Sequence, residues 1–558
     1  MRQYETIELV FSGKAPAGSE AVTDIAAKIQ KDGKTWQVKG FYAGNETYKL
    51  RFLPEECGTY DYEVTGTVLE SPERGCFEIE AADCVHHGPV RAEGMALRYA
   101  DGKNFTGFGT TIYAFFHQSE ALIAETFDTL SKSPFNKVRL CIFPKHYNYN
   151  HNNPRCYAFE RSERGKNLTF EAQVGSEVAP ADFELSDGGN NWDVHHPCFE
   201  FWDAFEENLK KLEKLGIEAD LILFHPYDRW GFSKMPQEDN LVYLDYLLRR
   251  LSAFPNVWWS MANEYDLCPA KTLSDWEEIE AFIAANDPYH HLLSNHNCLK
   301  PWDWSRKNTT HVSWQSKQFQ RVPELLAKFR KPVLFDECRY EGNLPESWGN
   351  ISGKRMVQSF WRVMTYGGHC THGETFYPGS EEAKKNTGTG EAEVVWWARG
   401  GRLHGESPAR IAFMREIFEG FPGPLEPALE GFSMLLAKSD EEILEMAKLA
   451  SDGFSAFLRS FAGMGQDERD RFLCAEPTYS GHVGDEVFLR YLDTECCIVT
   501  TFRLPESGSY RVELIDTWNM TRETVLTGVS GNVKVPCYGR EYCAILAIKE
   551  SEEESARV

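Results

Sequence analysis

Apolar and polar residues alternate in short runs over residues 1 to about 85, as in "TIELVFSG", "KTWQVKGFYAG" and "TYKLRFLPEECGTYDYEVTG". Period-two alternation punctuated by Gly and Pro about every 8–12 residues predicts a β-sandwich. The stretch "HHGPVRAEG" around Pro89 reads as a linker. From about residue 95 to 425 continuous apolar runs alternate with amphipathic helices. "FWDAFEENLKKLEKLG" sets Phe201, Phe205, Leu209, Leu212 and Leu215 on one face and stops at Gly216, and "LVYLDYLLRRL" does the same with Leu241, Leu244, Leu248 and Leu251. Eight strand candidates occur in this region: "FTGFGTT", "KVRLCIF", "ADLILF", "NVWWSMA", "LLSNH", "HVSWQ", "PVLFDE" and "GGHCTHGETF". Strands covered on both faces read as unbroken apolar stretches. The pattern predicts an α/β fold, a (β/α)8 TIM barrel with its functional residues at the strand C-termini. A doubly wound sheet is the alternative, but no Gly-rich phosphate loop opens any of these helices. Beyond 430 short alternating runs return, among them "EVFLRYLD", "CCIVTTFRL" and "YCAILAIK", and predict a second β-sandwich. The expected domains are 1–87, 88–428 and 429–558.

A net charge of −25 with no basic stripe argues against a nucleic-acid partner. No apolar run approaches the length of about 18 residues needed to cross a membrane, and the N-terminus lacks the apolar core of an export signal. The 15 Cys are an odd number, scattered in apolar contexts, which fits reduced thiols and a cytoplasmic location. No cofactor is called for. Homo-oligomerisation stays open. The 15 Trp supply flat apolar faces of the kind that stack on sugar rings.

Candidate chemistry lies at two strand ends. Glu264 follows the fourth barrel strand in "NVWWSMANEYDL" and Glu337 closes the seventh in "PVLFDECRYEG". Two carboxylates at a barrel mouth suit glycoside hydrolysis, one giving a proton to the leaving oxygen and one ionised. A separation of roughly 5–5.5 Å retains anomeric configuration, and roughly 6.5–9.5 Å inverts it. The Asn263 amide beside the acid can bond a sugar hydroxyl.

"SMANEYD" and "VLFDECRYEG" resemble the Asn-Glu and nucleophile-Glu motifs of clan A retaining glycoside hydrolases. "YADGKNFTGFGTTIYAF", "DPYHHLLSNH" and "THGETF" resemble, within that clan, the apiosidase-like glycoside hydrolases that carry N- and C-terminal β-sandwiches. The resemblance covers essentially the whole chain. It implies a carbohydrate substrate and a retaining mechanism with Glu264 as acid/base and Glu337 as nucleophile, and leaves the sugar open. It also implies that Arg139, on the second strand, lies under the nucleophile and keeps it ionised. At strand six the sequence departs from the clan, offering Trp314 and Gln315 in place of a Tyr or His that would orient the nucleophile. Asp336 is a rival nucleophile, although strand alternation turns it and Glu337 to opposite faces.

His225, His296, His372 and Glu374 are further mouth residues, expected to bond sugar hydroxyls. Their dispersed spacing argues against a metal site. The insert from about 145 to 197 is expected to wall one side of the site, with Trp192 and Trp348 as stacking residues. That wall and the missing export signal favour exo action on oligosaccharides or small glycosides. Transglycosylation on the same pair, or a noncatalytic carbohydrate-binding protein, are the alternatives.

Overall fold

The computed structural model describes residues 1–147, 149–150, 152–167, 190–377, 395–429, 434–435, 438–475 and 477–551. At its centre are eight parallel strands: β1 (Phe108–Thr111), β2 (Lys137–Cys141), β3 (Glu218–Phe224), β4 (Val257–Ala262), β5 (Leu293–Ser294), β6 (Val312–Gln315), β7 (Val333–Glu337) and β8 (His369–His372). All eight coincide with the predicted runs. Their spatial order, 5-4-3-2-1-8-7-6, is that of a barrel. The seam between β5 and β6 carries no ladder and is bridged locally, by the Thr310 N–H donating to the Leu293 carbonyl (2.8 Å) and the Ser294 hydroxyl to the His311 carbonyl (2.7 Å).

The outer layer comprises α1 (Glu120–Ser131), α2 (Phe199–Lys214), α3 (Gln237–Leu251), α4 (Leu273–Asn286), α5 (Val322–Phe329), α6 (Gly353–Thr365) and α7 (Ser407–Glu419). Residues 295–311, between β5 and β6, form no helix. On α2 the predicted apolar face is buried at Phe201, Phe205, Leu209 and Leu212, but Leu215, at the C-cap, is exposed. α4 starts at a capping box in which the Thr272 and Asp275 side chains each accept the other's backbone N–H.

Residues 1–80 form sheets of three and four antiparallel strands, the predicted sandwich. A buried ion network docks it on the barrel: Glu206 of α2 accepts from Arg51 of the sandwich (2.8 Å) and from Arg250 of α3 (2.5 Å). The C-terminal sandwich has a six-stranded and a two-stranded sheet. It meets α6 through Asp493, which accepts from Gln358 (2.6 Å) and Arg362 (2.6 Å), while Trp361 stacks on Tyr491.

One expectation is corrected here. Residues after 429 do not return directly to strands: Asp440–Leu449, Asp452–Ala462 and Gln466–Ala475 are helices. Ser439 and Glu442 form a capping box, and Ile443, Ala447, Leu458 and Phe461 share a small core of their own. That spacing of three and four residues is helical, and the local period prevails. The sandwich strands proper resume at Tyr479.

Candidate active site

β4 is buried along its whole length and ends at Ala262, which delivers Asn263 and Glu264 to the barrel mouth. Glu264 has φ +54°, a left-handed conformation costly for a residue with a Cβ and found where surrounding structure enforces it. Its backbone N–H faces His296 Nδ1 at 3.4 Å. Its carboxylate accepts from the Tyr227 hydroxyl on one oxygen and from Gln315 Nε2 on the other, at 3.1 Å. The neighbouring Asn263 Oδ1 accepts from the Tyr113 hydroxyl (3.0 Å).

β7 reaches the same mouth by a different device. Trp314 pairs with Phe335, but Gln315 pairs with Glu337, so the β6–β7 register slips by one residue at Asp336. Such a bulge re-aims the side chain that follows it. Strict alternation, which would have separated the two acids, is broken there. Asp336 is held in the lumen by Lys137 (2.5 Å) and Ser313, and Glu337 lines the mouth.

Glu264 and Glu337 line one cavity of about 370 Å³, walled by Tyr147, Tyr227, Tyr340, Trp348 and Trp397. Burial pushes Glu337 up to about 8, and the Tyr340 hydroxyl beside it, without an aligned hydrogen bond, offsets part of that rise. Lys145 is buried against the faces of Tyr113 and Tyr227, and loss of solvent lowers its pKa to about 8.

Residues 91–421 match the family described as "Apiosidase-like, catalytic domain". The chain belongs to the apiosidase-like family. Residues 1–67 and 477–547 match two domains of unknown function, DUF5060 and DUF5605. Among solved structures, a "putative glycoside hydrolase from Bacteroides vulgatus ATCC 8482" is 29% identical, with a TM-score of 0.79 over 98% of this chain and 99% of that one. A "Glycoside hydrolase" (14% identical, TM-score 0.57, 83% and 97% covered) and a glycoside hydrolase family 5 protein from Bacteroides vulgatus ATCC 8482 (11%, 0.54, 83% and 94%) share the fold. No curated protein matches. The apiosidase-like protein is therefore a glycosidase on a TIM barrel with flanking β-domains.

Several expected site residues of this glycosidase lie elsewhere. Arg139 does not support Glu337: its guanidinium pairs with Asp220 (2.9 Å) and Asp336 (3.5 Å). Lys137 bonds the same two carboxylates, so the four charges form a closed network in the barrel lumen. Asp336 is held well below the usual carboxylate range by these cations, against the effect of its burial, and is structural. Gln315 orients Glu264 rather than the nucleophile candidate. Trp314 packs between Trp304 and Phe335 and does not line the cavity. Trp192 is 2% exposed, stacked 4.3 Å from Phe232, with its Nε1–H given to the Trp230 carbonyl. It is core, whereas Trp348 does wall the cavity. His225 bonds the Phe143 carbonyl (3.2 Å) beneath the mouth, and burial drives its pKa down to about 3. Residues 168–189 of the predicted insert lie outside the described residues; its described part contributes Lys145 and Tyr147.

His372, Glu374 and Glu341 place one ligand-type atom each within 4.8 Å of one another. Glu341 and Glu374 accept the backbone N–H groups of residues 404–407, and His372 Nδ1 lies 3.1 Å from the Thr110 hydroxyl. The carboxylates thus clasp a loop outside the cavity, and burial raises Glu374 to about 7. These residues do not line the cavity that holds Glu264 and Glu337.

Sequence reasoning missed Lys145, Tyr227, Tyr340 and Trp397. Three of them follow strand ends, at "FPKHY", "FHPYD" and "DECRY", where a barrel's functional residues gather, and that was the available signal.

Proposed function

We propose that this glycosidase retains anomeric configuration by double displacement, with Glu264 as acid/base and Glu337 as nucleophile. One observation carries the reading: the two carboxylates, from the ends of β4 and β7, line one aromatic-walled cavity. Glu264 protonates the leaving oxygen while Glu337 attacks the anomeric carbon; Glu264 then takes a proton from the water that releases the sugar. Asn263, fixed by Tyr113, is placed to bond a hydroxyl of the ring.

A second reading exchanges the two roles. It rests on the rise of Glu337 to about 8, which suits a proton donor, and on the two donors facing Glu264, which suit an ionised group. Azide with an activated aryl glycoside separates them. If Glu337 is the nucleophile, Glu264→Ala yields a glycosyl azide of the substrate's configuration through the covalent intermediate, and Glu337→Ala yields the opposite configuration by direct attack. The reverse pattern establishes the exchanged roles. No loss of turnover in either variant sinks both.

Exo action is supported by the described part of the insert, in which Tyr147 and Tyr149 pack on Trp348 and Trp397 and close one side of the cavity. Release of single terminal sugars from end-labelled oligosaccharides tests it, and an added alcohol acceptor distinguishes transglycosylation from hydrolysis. A cytoplasmic location is supported by the free state of the described cysteines, including Cys338 and Cys370, whose sulfurs lie 3.8 Å apart without a bond. Cell fractionation checks it.

A further inference from the structure

The cavity carries an excess of cations over carboxylates. Its charged lining residues are the carboxylates Glu264 and Glu337 and the cations Lys145, Lys317 and Arg339. On a chain of net charge −25 this is a local reversal of sign. A focused positive potential in a cleft concentrates anions.

Lys145 is the informative member. It is 4% exposed, yet among the described residues its ammonium meets no ion-pair or hydrogen-bond partner. It rests on aromatic faces instead, 3.5 Å from the ring centre of Tyr113, 4.3 Å from Tyr227 and 4.6 Å from Trp397. Glu264 is near enough to act on it electrostatically, but both Glu264 oxygens are already engaged by Tyr227 and Gln315. Aromatic faces attract a cation without using its N–H donors, so three directional donors remain unspent in the cavity. A buried ammonium in that state is stabilised by any anion that reaches it. Arg339 also lacks a carboxylate partner among the described residues. Its guanidinium donates to the Ser347 carbonyl and the Asn350 side chain. Lys317, exposed at the rim, adds the same sign.

We propose that the glycoside taken by this cavity bears a negative charge on its sugar, a carboxylate or a phosphate ester, and that Lys145 binds that group while Lys317 and Arg339 draw it in. This rests on the cavity being the glycosidase site proposed above.

The test is calorimetric binding to the full-length protein, independent of turnover. The probes are methyl β-D-glucuronide, methyl β-D-galacturonide and methyl 6-phospho-β-D-glucoside beside neutral methyl β-D-glucoside and β-D-galactoside. At least one anionic probe is expected to bind about tenfold or more tighter than its neutral counterpart, the scale of a hydrogen bond to a charged group. Which one does so distinguishes uronide from phosphate. Lys145→Met removes the preference, Lys145→Arg keeps part of it, and added salt weakens it. Lys317→Glu, at an exposed position that should leave folding intact, lowers anionic binding severalfold. Equal or tighter binding of neutral probes, no binding by any probe at tens of millimolar, or a preference that survives both Lys145→Met and Lys317→Glu overturns the proposal. Should the azide experiment reject the double displacement, a charge preference in this assay still stands.

Discussion

Gln315 Nε2 donates a 3.1 Å hydrogen bond to Glu264, tying the end of β6 to the end of β4 across the cavity. The amide therefore acts on the acid/base candidate and not on the strand-seven carboxylate that its position in sequence suggested. An amide donor stabilises the ionised form of a carboxyl and fixes its orientation.

Gln315→Ala should accordingly lower kcat/KM, which reports the step that breaks the glycosidic bond, about tenfold or more on glycosides with poor leaving groups, the scale of a lost hydrogen bond to a charged group. With aryl leaving groups that need no proton, the loss should be small. An equal loss on both substrate types would show that Gln315 does not act through Glu264.

The pH dependence of Glu337 has a definite sign. Its carboxyl is raised to about 8 by burial, so the stability it contributes is fully present below the ordinary carboxyl value of about 4.3 and is lost as pH rises through about 8. Glu337→Gln cannot ionise. Its melting temperature relative to wild type should therefore increase from pH 5 to pH 9, by about 1 °C for each kcal/mol of relief in a chain of 558 residues. Tyr340→Phe removes the hydroxyl that offsets this rise, and with Glu337 as nucleophile it should move the acidic limb of kcat/KM to higher pH. A limb that stays in place would separate Tyr340 from the ionisation.

The lumen network gives the opposite sign. Asp336 is depressed by Lys137 and Arg139, so its contribution is present above the ordinary carboxyl range and is lost as pH falls through its folded value. Asp336→Asn leaves Lys137 and Arg139 undercompensated in a buried site and should cost about 3–5 kcal/mol, measured by denaturant unfolding at neutral pH. A change below about 1 kcal/mol would mean that Asp220 alone balances both cations.

The eight barrel strands, and the position of Glu264 and Glu337 at the ends of two of them, were legible because the signals are local: an apolar run buried on both faces, then an acid at its C-terminal end. What was not legible depended on events between elements. The bulge at Asp336, which lets adjacent acids face the lumen and the mouth, is a property of the β6–β7 pairing and leaves no mark in "VLFDE". Arg139 needed a buried anion, as its apolar neighbours implied, but two aspartates compete for it with a glutamate at the mouth, and three-dimensional proximity decides among them. Lys145 sits in "FPKHYNYN", which reads as an ordinary polar loop until Tyr113, Tyr227 and Trp397 close around it. The helices at 440–475 were a misreading of period, since their capping box and spacing were in the sequence.

Trp192 and Trp348 were given one role by sequence and have two in the fold, and paired substitutions separate them. Trp348 walls the cavity and packs 5.0 Å from Trp397, so Trp348→Ala should raise KM severalfold with a small change in melting temperature. Trp192 stacks on Phe232 in the hydrophobic core, so Trp192→Ala should cost about 3–5 kcal/mol of stability, the range for truncating a buried aromatic. The fraction of that variant that folds should keep a near-normal KM. Steady-state kinetics beside thermal melts of both variants make the check. A raised KM in Trp192→Ala without loss of stability would return that residue to the substrate and contradict its burial.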